Sequence, residues 1–157
     1  MNSHAFNNII SEIAPSVYRA TLSRIQNADL AQDILQQVLL LLCEKQPKFK
    51  CKAQLKVWMI RCAYKLAAGY TRRFDNSKSV PLEAAENIGT YDNIEFEFYD
   101  VLSHLPKELC DVTVLFYIED MPQSDVAKTL GISIPAVKSR LARARALLKK
   151  IYKEEIL

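Results

Sequence analysis

Apolar residues recur at three- and four-residue intervals along most of this chain, a spacing that predicts helices. Phe6, Ile9, Ile10, Ile13 and Val17, with Tyr18 and Leu22 beyond Pro15, mark a first helix over about 4–24. Asn27-Ala28-Asp29 offers a cap for a second helix, over about 29–45. Its core-facing positions are Ala31, Ile34, Leu35, Val38, Leu41 and Leu42, and its other side shows Asp29, Asp33, Gln36, Gln37 and Leu40. Leu39 to Leu42 is apolar almost all round, more than one buried face requires. Such leucines either pack against a neighbouring helix or mark a protein interface. After Pro47 a short basic loop, Lys48-Phe49-Lys50-Cys51-Lys52, leads into a third helix over about 53–74. Leu55, Trp58, Met59, Cys62 and Leu66 make its apolar stripe. From Asp75 to Asn93 the periodicity lapses around Pro81 and Gly89, as in a linker. Helices resume over about 94–104 and 107–119, separated by Leu105-Pro106.

The last segment, Gln123 to Lys150, carries the most specific pattern. Val126, Ala127 and Leu130 form an inward face, and Gly131 can take the left-handed conformation that ends a helix. Ser133 is a good N-cap, and Pro135 is tolerated in a first turn, where its missing N–H costs nothing. Val137, Leu141, Ala144 and Leu148 then form one stripe, leaving Ser139, Arg140, Arg143, Lys138 and Arg145 outward. Two helices around a Gly-Ile-Ser turn, the second basic, make a helix-turn-helix suited to the DNA major groove. A solvated basic hairpin is the bland alternative, and capping, turn and charge sign together favour nucleic acid.

Charge distribution strengthens that reading. The 157 residues carry a formal net charge of only +3. Yet Lys45 to Phe74 holds nine Lys/Arg and no acid, and Ala127 to Lys153 holds eight and no acid. Between them, Glu83 to Asp125 holds eleven acids against the single Lys107. Two basic blocks flanking an acidic one imply two separate contacts with a polyanion. In the first block Tyr64, Tyr70 and Phe74 are interleaved with Lys56, Arg61, Lys65, Arg72 and Arg73, a mixture that suits unpaired bases and their phosphates. Trp58 is expected in the core; Tyr64 and Tyr70 are left open between core and base stacking.

Other chemistries find little support. Cys43, Cys51, Cys62 and Cys110 form no CxxC, and His4 and His104 are not spaced with them as zinc ligands. Cys43 and Cys62 are expected as reduced core residues, and Cys51 as a loop thiol near lysines. No carboxylate pair, phosphate loop or nucleophile elbow stands out, so neither a catalytic site, a cofactor nor a metal is expected. No signal peptide and no apolar run near ~18 residues appears, so membrane insertion is not expected and a cytoplasmic location is.

The whole pattern resembles the sigma-70 family of bacterial RNA polymerase initiation factors, in its short extracytoplasmic-function (ECF) form. Asp29-Leu-Ala-Gln-Asp-Ile-Leu-Gln-Gln-Val38, Pro47-Lys-Phe49, Leu55-Lys-Val-Trp58 and Arg61-Cys-Ala-Tyr-Lys-Leu-Ala67 are similar to the family's region 2. Leu105-Pro106, then Asp125 to Ser133 and Val137 to Arg145, are similar to region 4. The resemblance implies an all-α fold of two small helical domains, a bundle over 1–75 and a helix-turn-helix domain over 94–157, joined by a flexible linker over 76–93. It implies bacterial core RNA polymerase and promoter DNA as partners, and an anti-sigma factor as a candidate restraint.

By the same resemblance, Asp29, Asp33, Gln36, Gln37 and Leu40 would meet the polymerase. Lys48, Lys50, Lys52, Lys56, Arg61, Tyr64, Lys65, Arg72 and Arg73 would melt and hold the −10 element as a single strand. Ser133, Pro135, Ala136, Lys138, Ser139, Arg140 and Arg143 would read the −35 element as duplex. The chain departs from the family at Gln37, where an acid is common, and at Tyr64-Lys65, which replaces an Arg-Asn pair. Ile134-Pro135-Ala136 is poor in hydrogen-bond donors, which shifts −35 reading towards DNA shape. A stand-alone helix-turn-helix regulator is the alternative, but it leaves the basic aromatic helix and the Gln36 surface without a purpose.

Overall fold

A computed structural model of the chain describes residues 3–73 and 100–156, all of them in helices or the turns between them. The chain divides into two compact units, Met1–Ala84 and Ala85–Leu157. The expected linker over 76–93 and the first residues of the helix expected over 94–104 lie outside the described residues; 100–103 is helical.

The first unit is three helices, α1 (Ser3–Ile25), α2 (Ala28–Lys45) and α3 (Lys52–Arg73), each packed against the other two. Asn27 starts α2: its backbone is extended, and its side-chain oxygen accepts from the Leu30 N–H at 3.1 Å, satisfying one of the helix's orphan donors. Gln46 ends α2 in the left-handed conformation and returns its N–H to the Leu42 carbonyl at 3.0 Å. Pro47 then forbids continuation. At the start of α3, Gln54 reaches back to accept from the Lys50 N–H at 2.8 Å.

Burial selects one stripe on each helix. Ile13, Val17, Ala20 and Leu22 of α1 meet Ala31, Ile34, Val38 and Leu42 of α2 and Leu55, Met59, Ile60, Ala63, Tyr64 and Ala67 of α3 in the unit's core. The α3 stripe is rotated from the expected one. It is centred towards Ile60 and Tyr64, so Trp58, Cys62 and Leu66 lie at its edge and are only half-buried. Cys43 is likewise exposed rather than in the core, because the α2 row runs 31, 34, 38, 42 and residue 43 stands a hundred degrees off it.

The second unit contains α4 (Lys107–Thr113), a five-residue π-helical turn (Val114–Ile118), α5 (Gln123–Leu130) and α6 (Ile134–Ile156). The expected uninterrupted helix over 107–119 therefore widens in its second half. Glu119 donates its N–H to the Val114 carbonyl at 3.0 Å, five residues back, and Met121 reaches Leu115 at 3.0 Å. Residues 111–115 are all buried, more than one face of a regular helix presents. Leu102, Leu105, Leu109, Val114 and Ala144 form a core cluster, with Cys110, Ile118 and Leu148 packed against it.

The burial pattern separates stability from surface roles on a single helix. Ile34→Ala, at a position with no exposure, should cost about 2–5 kcal/mol in urea denaturation. Leu40→Ala, at 69% exposure, should stay within about 0.5 kcal/mol of the parent.

Candidate nucleic-acid interface

The helix-turn-helix is assembled by local chemistry. Gly131 ends α5 at φ +69°, and its N–H caps back to Ala127. The Ile132 N–H reaches the same carbonyl at 3.0 Å, so the turn is doubly closed. Ser133 Oγ accepts from the Ala136 N–H at 3.2 Å and starts α6, with Pro135 in its first turn. Val137, Leu141 and Ala144 are buried. Of the residues expected at duplex DNA, Ser133, Pro135, Lys138, Ser139 and Arg143 are exposed, while Ala136 and Arg140 are half-buried. Sequence reasoning missed one contact: Arg145 donates to the Tyr117 hydroxyl at 3.0 Å, tying α6 to the π-helical turn. The 28-residue separation leaves no local signal for that pair.

On the first unit, Lys48, Lys50, Lys52, Arg61 and Lys65 are exposed and Lys56 is half-buried. Arg61 and Lys65 stand one turn apart on the same side of α3. Lys52 also pairs with Glu12 of α1 at 2.7 Å, an exposed bridge that contributes little to stability. Arg72 and Arg73 end the helix.

Tyr64 does not join this surface. It is buried at 4% exposure, its hydroxyl donates to the Ala20 carbonyl at 3.4 Å, and the Arg24 guanidinium sits 5.7 Å from its ring centroid. A ring enclosed by α1 on its polar and π faces cannot receive a base. Tyr64 is therefore corrected to a core residue with a cation–π lid.

The outward row of α2 is sharper than the sequence alone made it. Asp29, Asp33, Gln36 and Leu40 are all exposed, at i, i+4, i+7 and i+11, so they form one stripe. Gln37 leaves that row. It is half-buried and its amide donates to the Tyr70 hydroxyl of α3. The expectation that Gln37 projects with its neighbours is thus corrected: the side chain turns inward, to α3.

Burial raises the Cys62 thiol above its ordinary range, opposed by the nearby charges of Lys65 and Arg61. Cys43 and Cys51 are exposed. Among the described residues no group of three metal-ligating side chains forms, and no helix is long and apolar enough to cross a membrane.

Residues 95–148 match the family described as sigma-70, region 4. The chain is 23% identical over 151 residues to the RNA polymerase sigma factor SigV of Bacillus subtilis (strain 168), covering 94% of this chain and 91% of that one. It is 26% identical over 145 residues to the ECF RNA polymerase sigma factor EcfG of Rhodopseudomonas palustris (strain TIE-1), covering 87% and 79%. Its fold is shared with the sigma factor RpoE of Bartonella quintana, solved in complex with the anti-sigma factor NepR. That match has a TM-score of 0.65 and 23% identity, over 95% of this chain and 97% of the other. CnrH, solved with the cytosolic domain of CnrY, matches with a TM-score of 0.62 and 20% identity over 98% and 90%.

Two outcomes test this geometry. Gly131→Ala meets no atom within 4 Å but keeps a left-handed backbone, so it should cost about 1 kcal/mol through conformation alone, read by thermal denaturation. In alkylation of the native chain, Cys43 and Cys51 should label first. Cys62 should lag near neutral pH and catch up as pH rises through its elevated pKa, because the thiolate is the reacting form.

Proposed function

We propose that this chain, a member of the ECF group of the sigma-70 family, binds core RNA polymerase through the outer row of α2 and brings it to promoters read in two parts. Its role is that of a sigma factor in transcription initiation. The observation that carries the finer reading is the α2 row. Asp29, Asp33 and Gln36 share one exposed row with Leu40, which is 69% exposed, and this alignment of acids, an amide and a leucine supports a protein contact there.

The division of labour follows from the surfaces. Residues 1–75 act as region 2, 94–157 as region 4, and 76–93 connect them. On α6, Lys138 and Arg143 meet phosphates and set the register, and the exposed Ser133 and Ser139 face base edges. Pro135 and Ala136 add shape but no donors.

On the first unit, the loop lysines with Arg61 and Lys65 hold the melted −10 strand. Extracting a base costs a few kcal/mol, and stacking returns about 1–3 kcal/mol per base where a ring is available. With Tyr64 in the core and Trp58 and Tyr70 half-buried, the α3 surface supplies mostly charge. Strand capture here is therefore dominated by phosphate contacts and weakens steeply with salt. These partners put the protein in the cytoplasm. A restraining protein of the kind bound by the Bartonella relative is a further proposed partner.

Substituting Asp33→Lys together with Leu40→Lys should weaken core polymerase binding by 30-fold or more, the scale of a lost interface hot spot. The melting temperature should hold, because both positions are exposed. Unchanged polymerase affinity would remove the α2 row from the interface. Arg140→Ala should weaken promoter-duplex binding by about 1–3 kcal/mol in a fluorescence anisotropy titration; equal affinity would take Arg140 out of the DNA-reading set.

A further inference from the structure

Ala67 is the last fully buried residue of α3 among those whose burial is described. Leu55, Met59, Ile60, Ala63, Tyr64 and Ala67 are seated in the core, but Ala68 and Gly69 are exposed. From there to Arg73 the helix still makes more than a full turn. Gly69 weakens that stretch, since glycine is among the poorest helix formers in an exposed interior. Nothing lies within 4 Å of where its Cβ would stand, so no close packing requires a glycine there. One polar contact at this end comes from the Gln37 amide of α2, which donates to the Tyr70 hydroxyl across 33 positions of sequence. Tyr70 is half-buried and follows Gly69 directly, two residues before Arg72.

We infer that the Gln37–Tyr70 hydrogen bond is a latch that pins the last turn of α3, which ends at Arg73, to the partner-docking helix α2. Tyr70 is then a positioning residue: it fixes the end of the DNA-facing helix. Gln37 serves the same end from α2, which explains why it turns away from the row of Asp33, Gln36 and Leu40. The latch also joins the two surfaces of this unit. A protein seated on the outer face of α2 holds the helix from which α3's end is suspended. The pairing tolerates a carboxylate at residue 37, since the tyrosine hydroxyl can donate as well as accept. This inference rests on the reading above only where it assigns α3 to DNA.

The test has one arm that needs no partner. In the full chain alone, Tyr70→Phe should speed hydrogen exchange of the amides from Ala68 to Arg73 by about three- to tenfold, the scale of one lost hydrogen bond. Exchange in the α2 core should not move. Gln37→Leu should give the same increase, the double variant no more than either single, and Gln37→Glu should return to the parent rate. Gly69→Ala added to Tyr70→Phe should suppress the increase, because it strengthens the turn without touching the pair. Additive effects, or unchanged exchange at 68–73, would overturn the latch. The second arm uses core polymerase loaded with each form and the genomic fragment giving the strongest parental transcript. Tyr70→Phe should lower permanganate reactivity of unpaired thymines by a similar factor, with polymerase affinity unchanged and with recovery through Gly69→Ala. A parallel fall in polymerase affinity would overturn the positioning role. Failure of the parent itself to open any fragment would instead count against the assignment of α3 to DNA, with the exchange result still standing.

Discussion

The row Ala31, Ile34, Val38 and Leu42, seated against α1 and α3, is the contact on which the first unit's surfaces depend. A helix has one face to bury, and choosing that face fixes the orientation of every other residue on it. With this row inward, Asp29, Asp33, Gln36 and Leu40 must stand outward together, and Gln37 must point sideways to α3. The same logic runs through α3. Packing towards Ile60 and Tyr64 draws one aromatic into the core and leaves Arg61 and Lys65 outside. The proposed partner and strand contacts are thus not separate additions to the unit. They use the residual faces of two helices whose inner faces make its core.

The second unit is organised by turn chemistry more than by area. Gly131 in a left-handed conformation, the two N–H groups closing on Ala127 and the Ser133 cap together determine the angle at which α6 leaves α5. Each is worth about a kcal/mol, small against the core, yet they decide what α6 can enter. Arg145 against Tyr117 adds a brace from the π-helical turn, which places that widened turn beside α6.

Legibility in the sequence followed the range of the interactions. The helices of the described residues, the Asn27 and Ser133 caps and the Gly131 turn were readable because each is set within four residues. The outer row of α2 was readable for the same reason, as a matter of period. Tyr64, Cys43, Trp58 and Gln37 were not. Their placement depends on how far a stripe rotates against its neighbours, and an apolar or amphipathic residue at the stripe's edge fits either side. The π-helical turn was hidden as well, because Val114 to Ile118 is an unbroken apolar run that fits a regular helix equally well, and the extra residue is accommodated only by the surrounding packing.

The central claim is that one chain joins core polymerase to a promoter. Run-off transcription with bacterial core polymerase on pooled genomic fragments tests it most directly. Adding the chain should produce new transcripts whose starts share an upstream pair of sequence elements, one duplex-read and one unpaired in the open complex. Transcripts identical with and without the chain, despite retained DNA binding by the second unit, would contradict the account and leave a helix-turn-helix protein that acts without polymerase.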